Sequence, residues 1–124
     1  MELASYFFDT YALFEILRGS PDYEAYMKDV SIVTTRLNLM ELYYGLLRDN
    51  GKKEAERYFA KIRPYAVDVN DFVMKEAMEF RLLNKDRRFS YVDCVGYMFS
   101  MQNQVRFLTG DRQFKDLPGV EYVK

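Results

Sequence analysis

Four carboxylates are the residues of this sequence best placed to do chemistry: Asp9, Glu41, Asp93 and Asp111. Asp9 ends the apolar run Tyr6-Phe7-Phe8 and is followed by the hydroxyl of Thr10. Asp111 follows a similar run, Val105 to Thr109, after Gly110. Asp93 comes just after Ser90 at the opening of a helical pattern. Glu41 lies inside a long apolar segment, with Leu37 and Asn38 one turn before it and Tyr44 and Gly45 one turn after, so no cation stands within helical reach. A carboxylate buried without a partner is costly, so Glu41 must either hold its proton more tightly or meet a cation from elsewhere. The chain has no histidine and one cysteine. That excludes Ser-His-Asp and Cys-His nucleophile pairs, a histidine acid–base couple, His-ligated zinc and thiolate clusters. What is left is carboxylate chemistry, whose hard oxygen ligands select magnesium or manganese over zinc or copper.

Three of these acids also have an ordinary structural role to fill. Asp9 or Thr10 suits the N-cap of the next helix, and Asp111 suits the cap of a short one. Ser90 with Asp93 three residues later is a capping-box pattern, although aspartate reaches back less well than glutamate. The usual role of a helix glutamate, a solvated face or an i,i+4 pair with lysine, does not fit Glu41.

The elements that must position these residues alternate between strand and helix. Strands are expected at Ala4–Phe8, Ser31–Thr34, Tyr65–Val69, Val105–Thr109 and, as a final edge, Val120–Val123. A helix is expected over Tyr11–Leu17, then Gly19-Ser20-Pro21 as a stop and restart, with a short helix to about Lys28. The segment Thr35–Arg48 is apolar over most of its circumference and reads as a largely buried helix. A more polar helix follows Asn50-Gly51 and runs to Arg63, with Ala55, Tyr58, Phe59 and Ile62 as its inward stripe. Asn70-Asp71 caps a long helix whose Phe72, Val73, Ala77, Phe80 and Leu83 read as core. The last long helix opens at Ser90 and continues to about Asn103. Such alternation predicts an α/β fold, one domain over residues 1–124, with a mostly parallel sheet and helices on both faces. With right-handed crossovers, Asp9, Asp93 and Asp111 fall at the carboxyl ends of neighbouring central strands, and Glu41 reaches them from a facing helix.

The chain has 124 residues and a net charge of −1. It has no overall cationic field to gather nucleic acid, so any such partner must be held by a local patch. Lys53, Arg57 and Lys61, at i, i+4 and i+8, are a weak candidate for an RNA-backbone contact and equally a solvated helix face; Arg112, beside Asp111, is another weak candidate. The connection Asn84–Arg88 is basic and reads as a solubility feature. No signal peptide or 18-residue apolar span is visible, so a soluble, cytoplasmic protein with no membrane role is expected.

The motifs Phe8-Asp9-Thr10, Asn38-Leu39-Met40-Glu41-Leu42-Tyr43-Tyr44-Gly45, Tyr91-Val92-Asp93-Cys94 and Leu108-Thr109-Gly110-Asp111 with Phe114 resemble those of PIN-domain ribonucleases, most of all the VapC-type toxins of toxin–antitoxin pairs. The resemblance covers essentially the whole chain and rests on the order and spacing of the four acids together. It implies a three-layer, PIN-like fold around a five-stranded parallel sheet, and an endoribonuclease dependent on Mg2+ or Mn2+. It further implies that Asp9, Glu41, Asp93 and Asp111 form the metal pocket, lined by Thr10 and Thr109, and that the protein is a homodimer silenced by an antitoxin. Where the family has small residues after the third acid, Cys94-Val95-Gly96-Tyr97 brings a tyrosine, expected close to the pocket, where it would narrow the substrate. The modest basicity suggests a structured or partner-presented RNA. Two rival readings are a catalytically silent RNA- or protein-binding module, against which four intact acids speak, and a phosphohydrolase with a phosphorylated aspartate. The latter needs a DxD loop and a nearby lysine that Asp9-Thr10-Tyr11 does not supply.

Overall fold

A parallel sheet of five strands in the order β3-β2-β1-β4-β5 is the frame on which the computed structural model, describing residues 3–124, hangs its helices. The strands are β1 (Ala4–Phe8), β2 (Val30–Thr35), β3 (Ala66–Val67), β4 (Arg106–Thr109) and β5 (Val120–Tyr122). All four neighbouring pairs run parallel, with Phe7 opposite Val33 on one side and Phe107 on the other. The helices are α1 (Thr10–Arg18), α2 (Arg36–Asn50), α3 (Lys52–Ile62), α4 (Asp71–Leu83) and α5 (Tyr91–Gln102), with 3-10 turns at Pro21–Tyr26, Arg63–Tyr65 and Arg112–Phe114. The stop and restart after α1 is present, with Gly19 in the left-handed conformation, but the expected short helix is a 3-10 segment ending at Tyr26, and Ser20 makes no side-chain capping bond.

Two cores, one on each face, follow from the two-residue period of the strands. Phe8 and Leu108 face one way and meet Leu13 of α1, Leu39, Leu42 and Leu46 of α2, and Ala55 and Ile62 of α3. Phe7 and Phe107 face the other way and meet Val73 and Ala77 of α4, Val95 and Tyr97 of α5, and Phe89 and Phe114 from the connections. All four strand residues are fully buried. Central parallel strands covered on both faces read as unbroken apolar runs, which is why the β1 and β4 sequences do not alternate.

Three expectations need correction. The second helix is not largely buried: Leu39, Leu42 and Leu46 face the core while Met40, Tyr44 and Leu47 are exposed at i, i+4 and i+7. Phe72 and Leu83 of α4 are exposed, because Val73, Ala77 and Phe80 already form the inward stripe. Tyr97 does not narrow the acidic pocket. It is buried beneath the sheet against Phe80, Phe107 and Phe114, and its hydroxyl donates to the Pro118 carbonyl at 2.6 Å.

Candidate functional site

The sheet changes direction at β1, whose neighbours β2 and β4 are reached by connections leading to opposite sides. A crevice opens at the carboxyl ends of the strands at such a point. Asp9 follows β1 directly, and Thr109 ends β4 with Asp111 two residues on. Asp93 sits in the first turn of α5, the helix that leads into β4, and Glu41 in the second turn of α2, the helix that leaves β2. The fold thus delivers all four acids to one end of the sheet.

Asp9 is 4% exposed. Its Oδ1 accepts the Ala12 N–H at 2.8 Å, which caps α1, and its Oδ2 accepts the Thr109 hydroxyl. Thr109 in turn accepts the Asp111 N–H at 3.0 Å, so one buried hydroxyl joins the first and last acids. Asp111 Oδ1 accepts the Gln113 N–H at 3.0 Å and caps the 3-10 turn. Gly110 makes this approach close: a Cβ there would stand 2.1 Å from the Tyr11 ring.

Glu41 meets a hydroxyl rather than a cation. Its Oε1 accepts from Thr10 at 2.7 Å; Thr10 accepts from Asn38 Nδ2 at 3.1 Å, and Asn38 Oδ1 accepts from Thr35 at 2.6 Å. This relay ties α1 to α2, and Asn38 and Thr35 are both buried. They are the residues that sequence reasoning missed as parts of the site. The signal was available, since Asn38 is a polar residue on the inward stripe of an apolar helix. Asp93 completes a reciprocal capping box, accepting the Ser90 N–H at 2.9 Å while its own N–H donates to Ser90 Oγ at 3.0 Å. Aspartate therefore spans the box despite its shorter reach.

The electrostatics are one-sided. Burial pushes Asp9 up to about 8, against the Thr109 and Ala12 hydrogen bonds that favour its charged form, with further upward pressure from Asp93 and Asp111. Burial also raises Asp93 to about 6, opposed by the Ser90 hydrogen bonds and reinforced by the charges of Glu41 and Asp111. Asp93 is thus the acid through which Glu41 joins the cluster, and among the described residues none of the four forms an ion pair. Glu41, Asp93 and Asp111 each use one carboxylate oxygen in the bonds above and leave the other without a hydrogen bond among the described residues. These free, hard oxygens in an uncompensated acidic cluster suit a divalent ion such as magnesium or manganese. Among the described residues, however, no three such groups stand close enough together to hold an ion, each acid being drawn toward its cap or hydroxyl.

Lys53, Arg57 and Lys61 are exposed on the outer side of α3, and Arg57 is engaged with Glu54 at 2.9 Å and with the Tyr58 ring. No hydrogen bond or ion pair among the described residues links them to the acids. Arg112 is exposed beside Asp111. No helix of the described residues is long and apolar enough to cross a membrane.

Comparison with known structures finds the same fold repeatedly. The chain is 20% identical to Mycobacterium tuberculosis VapC20, described as a sarcin-ricin loop cleaving toxin, with a TM-score of 0.77 over 96% of this chain and 99% of that one. VapBC2 from Rickettsia felis, bound to a DNA fragment from its promoter, matches at 18% identity and a TM-score of 0.72, covering 97% of this chain and 99% of that one. A toxin–antitoxin complex from Klebsiella pneumoniae matches at 12% identity and 0.71, covering 94% and 95%. No curated protein sequence matches. The sequence model of the PIN domain matches residues 6–120, nearly the whole chain and all four acids. With the five-stranded parallel sheet and the acids gathered at its carboxyl end, that match establishes that the chain belongs to the PIN domain family.

Proposed function

We propose that this PIN domain is a magnesium- or manganese-dependent endoribonuclease that hydrolyses RNA phosphodiester bonds, and that it is the toxin of a toxin–antitoxin pair. The observation that carries the reading is the acidic cluster at the strand ends, whose members repel one another, form no ion pair among the described residues and leave three carboxylate oxygens free. A site built for an anionic ligand alone would place lysine or arginine among these acids; this one attracts a cation. Asp9, Glu41 and Asp93 are the residues that would hold the ion. Bound there, a divalent ion supplies charge neutralisation for a phosphate oxygen and a lowered pKa for a water.

The chain's own groups do the positioning. Thr109 fixes the buried edge of Asp9, and the Asn38–Thr10 relay aims Glu41. Asp111, coupled to both Asp9 and Asp93, orients the attacking water or takes its proton. The toxin VapC20 and the toxin–antitoxin complexes among the similar structures support a protein inhibitor as partner. The exposed apolar residues Met40, Tyr44 and Leu47 of α2 and Phe72, Met78 and Leu82 of α4 offer surface for it and for a second copy of the chain.

The test is incubation of the purified protein with a panel of structured RNAs, with manganese and with EDTA. Cleavage that requires manganese and is abolished in Asp9→Asn is the expected result, the drop being about two orders of magnitude or more, as for removal of a transition-state electrostatic interaction. Full activity in EDTA or in the variant overturns the reading.

A further inference from the structure

Beside the acidic site the connection from α4 to α5 and the 3-10 turn after β4 border a shallow groove of about 860 Å3, open to solvent along most of its length. A surface of that form suits an extended chain laid along it rather than a small molecule, which clefts bury. Four cations line it, Arg87, Arg88, Arg112 and Lys115, against two carboxylates, Asp86 and Asp116. In a chain of net charge −1 this is a local concentration of positive charge.

The two walls are joined by Gln113. Its side-chain Oε1 accepts the Arg88 N–H at 2.5 Å, its Nε2 donates to the Arg88 carbonyl at 3.3 Å, and its own carbonyl accepts from Arg87. Arg87 also reaches Asp116 at 3.3 Å and lies over the Phe89 ring at 5.8 Å. Arg87 and Asp116 therefore brace the groove. Arg88, Arg112 and Lys115 are exposed and have no ion-pair partner among the described residues.

The groove adjoins the acids through the chain itself. Arg112 directly follows Asp111, and consecutive Cα atoms are about 3.8 Å apart. Arg88 stands two residues before Ser90, whose backbone and hydroxyl hold Asp93. A strand whose scissile phosphate lies at the acids would thus pass its neighbouring phosphates across these cations.

We propose that Arg88, Arg112 and Lys115 form a subsite for the backbone phosphates of the RNA strand flanking the cut, a proposal that rests on the ribonuclease reading above. Guanidinium forks pair bidentately with phosphate, and such interactions fix the strand's position without reading its bases. The subsite holds the strand and takes no part in the chemical step.

The experiment uses the variant Arg88→Ala/Arg112→Ala/Lys115→Ala, with Lys53→Ala/Lys61→Ala on α3 as the comparison. Binding of fluorescein-labelled oligouridylate is followed by anisotropy in EDTA across a salt series. In the groove variant the affinity falls at least about tenfold, and the dependence of log K on log salt becomes shallower by about 0.7 for each phosphate no longer neutralised. The α3 variant, whose cations do not line the groove, loses less affinity than the groove variant. With manganese and an RNA that the wild type cuts, KM rises in the groove variant while kcat is retained. Wild-type affinity and salt slope in the groove variant, or a reduction confined to kcat, overturn the subsite while metal-dependent cutting leaves the ribonuclease reading standing. A groove variant that loses binding to an acidic peptide but not to RNA assigns the groove to a protein partner and also overturns it. If the wild type neither binds nor cuts any RNA, both fall.

Discussion

Asp9 caps a helix and belongs to the acidic cluster at the same time, because its two oxygens have different tasks. Oδ1 serves the Ala12 N–H, while Oδ2 is held by Thr109 at the pocket. Burial outweighs both hydrogen bonds, which favour the charged form, and leaves a carboxyl that folds most comfortably with its proton. Its folded value, about 8, lies above the ordinary 3.8, so between those limits the folded state binds a proton that the unfolded state has released. Stability falls with pH wherever the folded state binds more protons. In EDTA the melting temperature is therefore expected to decline as pH rises from about 4 toward 8, and Asp9→Asn is expected to flatten that decline; a profile equally steep in the variant would place the titrating group elsewhere. Asn38→Ala removes the middle of the relay that aims Glu41 and leaves buried hydroxyls short of a partner. It should cost about 1–3 kcal/mol in denaturant melts, and lower kcat further than Leu-to-Met changes elsewhere in α2. The four acids could be read in the sequence because their type excludes most other chemistry in a chain without histidine. Asn38 could be read only as a polar residue on an inward stripe, because its partner Thr10 is 28 positions away and only the folded sheet brings it alongside.

At the scale of elements, the packing of α1 on α2 decides whether Thr10 meets Glu41. Gly45, one turn after Glu41, is where the helices come close, and a Cβ there would lie 2.3 Å from the end of the Phe14 ring. Gly45→Ala gains about 1 kcal/mol of helix propensity, whereas forcing extra volume into packed surroundings costs about 1–3 kcal/mol. The second effect is expected to win, since Phe14 packs against the buried core of this face. The variant should be less stable and less active, and Phe14→Leu should restore part of both; additive losses in the double variant would mean the two residues do not meet. Strand and helix order was legible because turn residues and apolar runs are local signals. Which face of a helix is covered was not. Phe72 and Leu83 of α4 are as apolar as Val73 and Ala77, and only the position of α5 and the sheet distinguishes them. Tyr97 misled for the same reason, since its distance in sequence from Asp93 says nothing about which side of α5 it occupies.

For the whole molecule, a parallel sheet with its acids gathered at one end stores repulsion that a bound cation relieves. Metal that binds only the folded state stabilises it by RT ln(1 + [L]/Kd), about 2.7 kcal/mol at a hundredfold excess over Kd. Asp93 gives this a sign that can be checked. As a carboxylate it is raised to about 6 by burial and by Glu41 and Asp111, so at neutral pH its charge is a cost to the metal-free fold. It also accepts the Ser90 N–H, a cap whose removal typically costs about 1 kcal/mol. Asp93→Asn removes the charge and keeps an oxygen able to accept that bond, so relief of repulsion should outweigh the weaker cap. In EDTA at neutral pH the variant is expected to melt above the wild type. Added manganese should raise the wild-type melting temperature and move that of the variant less, because a ligand charge is gone. Asp93→Ala, which loses both charge and acceptor, separates the two effects by melting below Asp93→Asn. A variant Asp93→Asn that melts below the wild type in EDTA and responds fully to manganese would show that the cap outweighs the charge and that Asp93 lies outside the metal site.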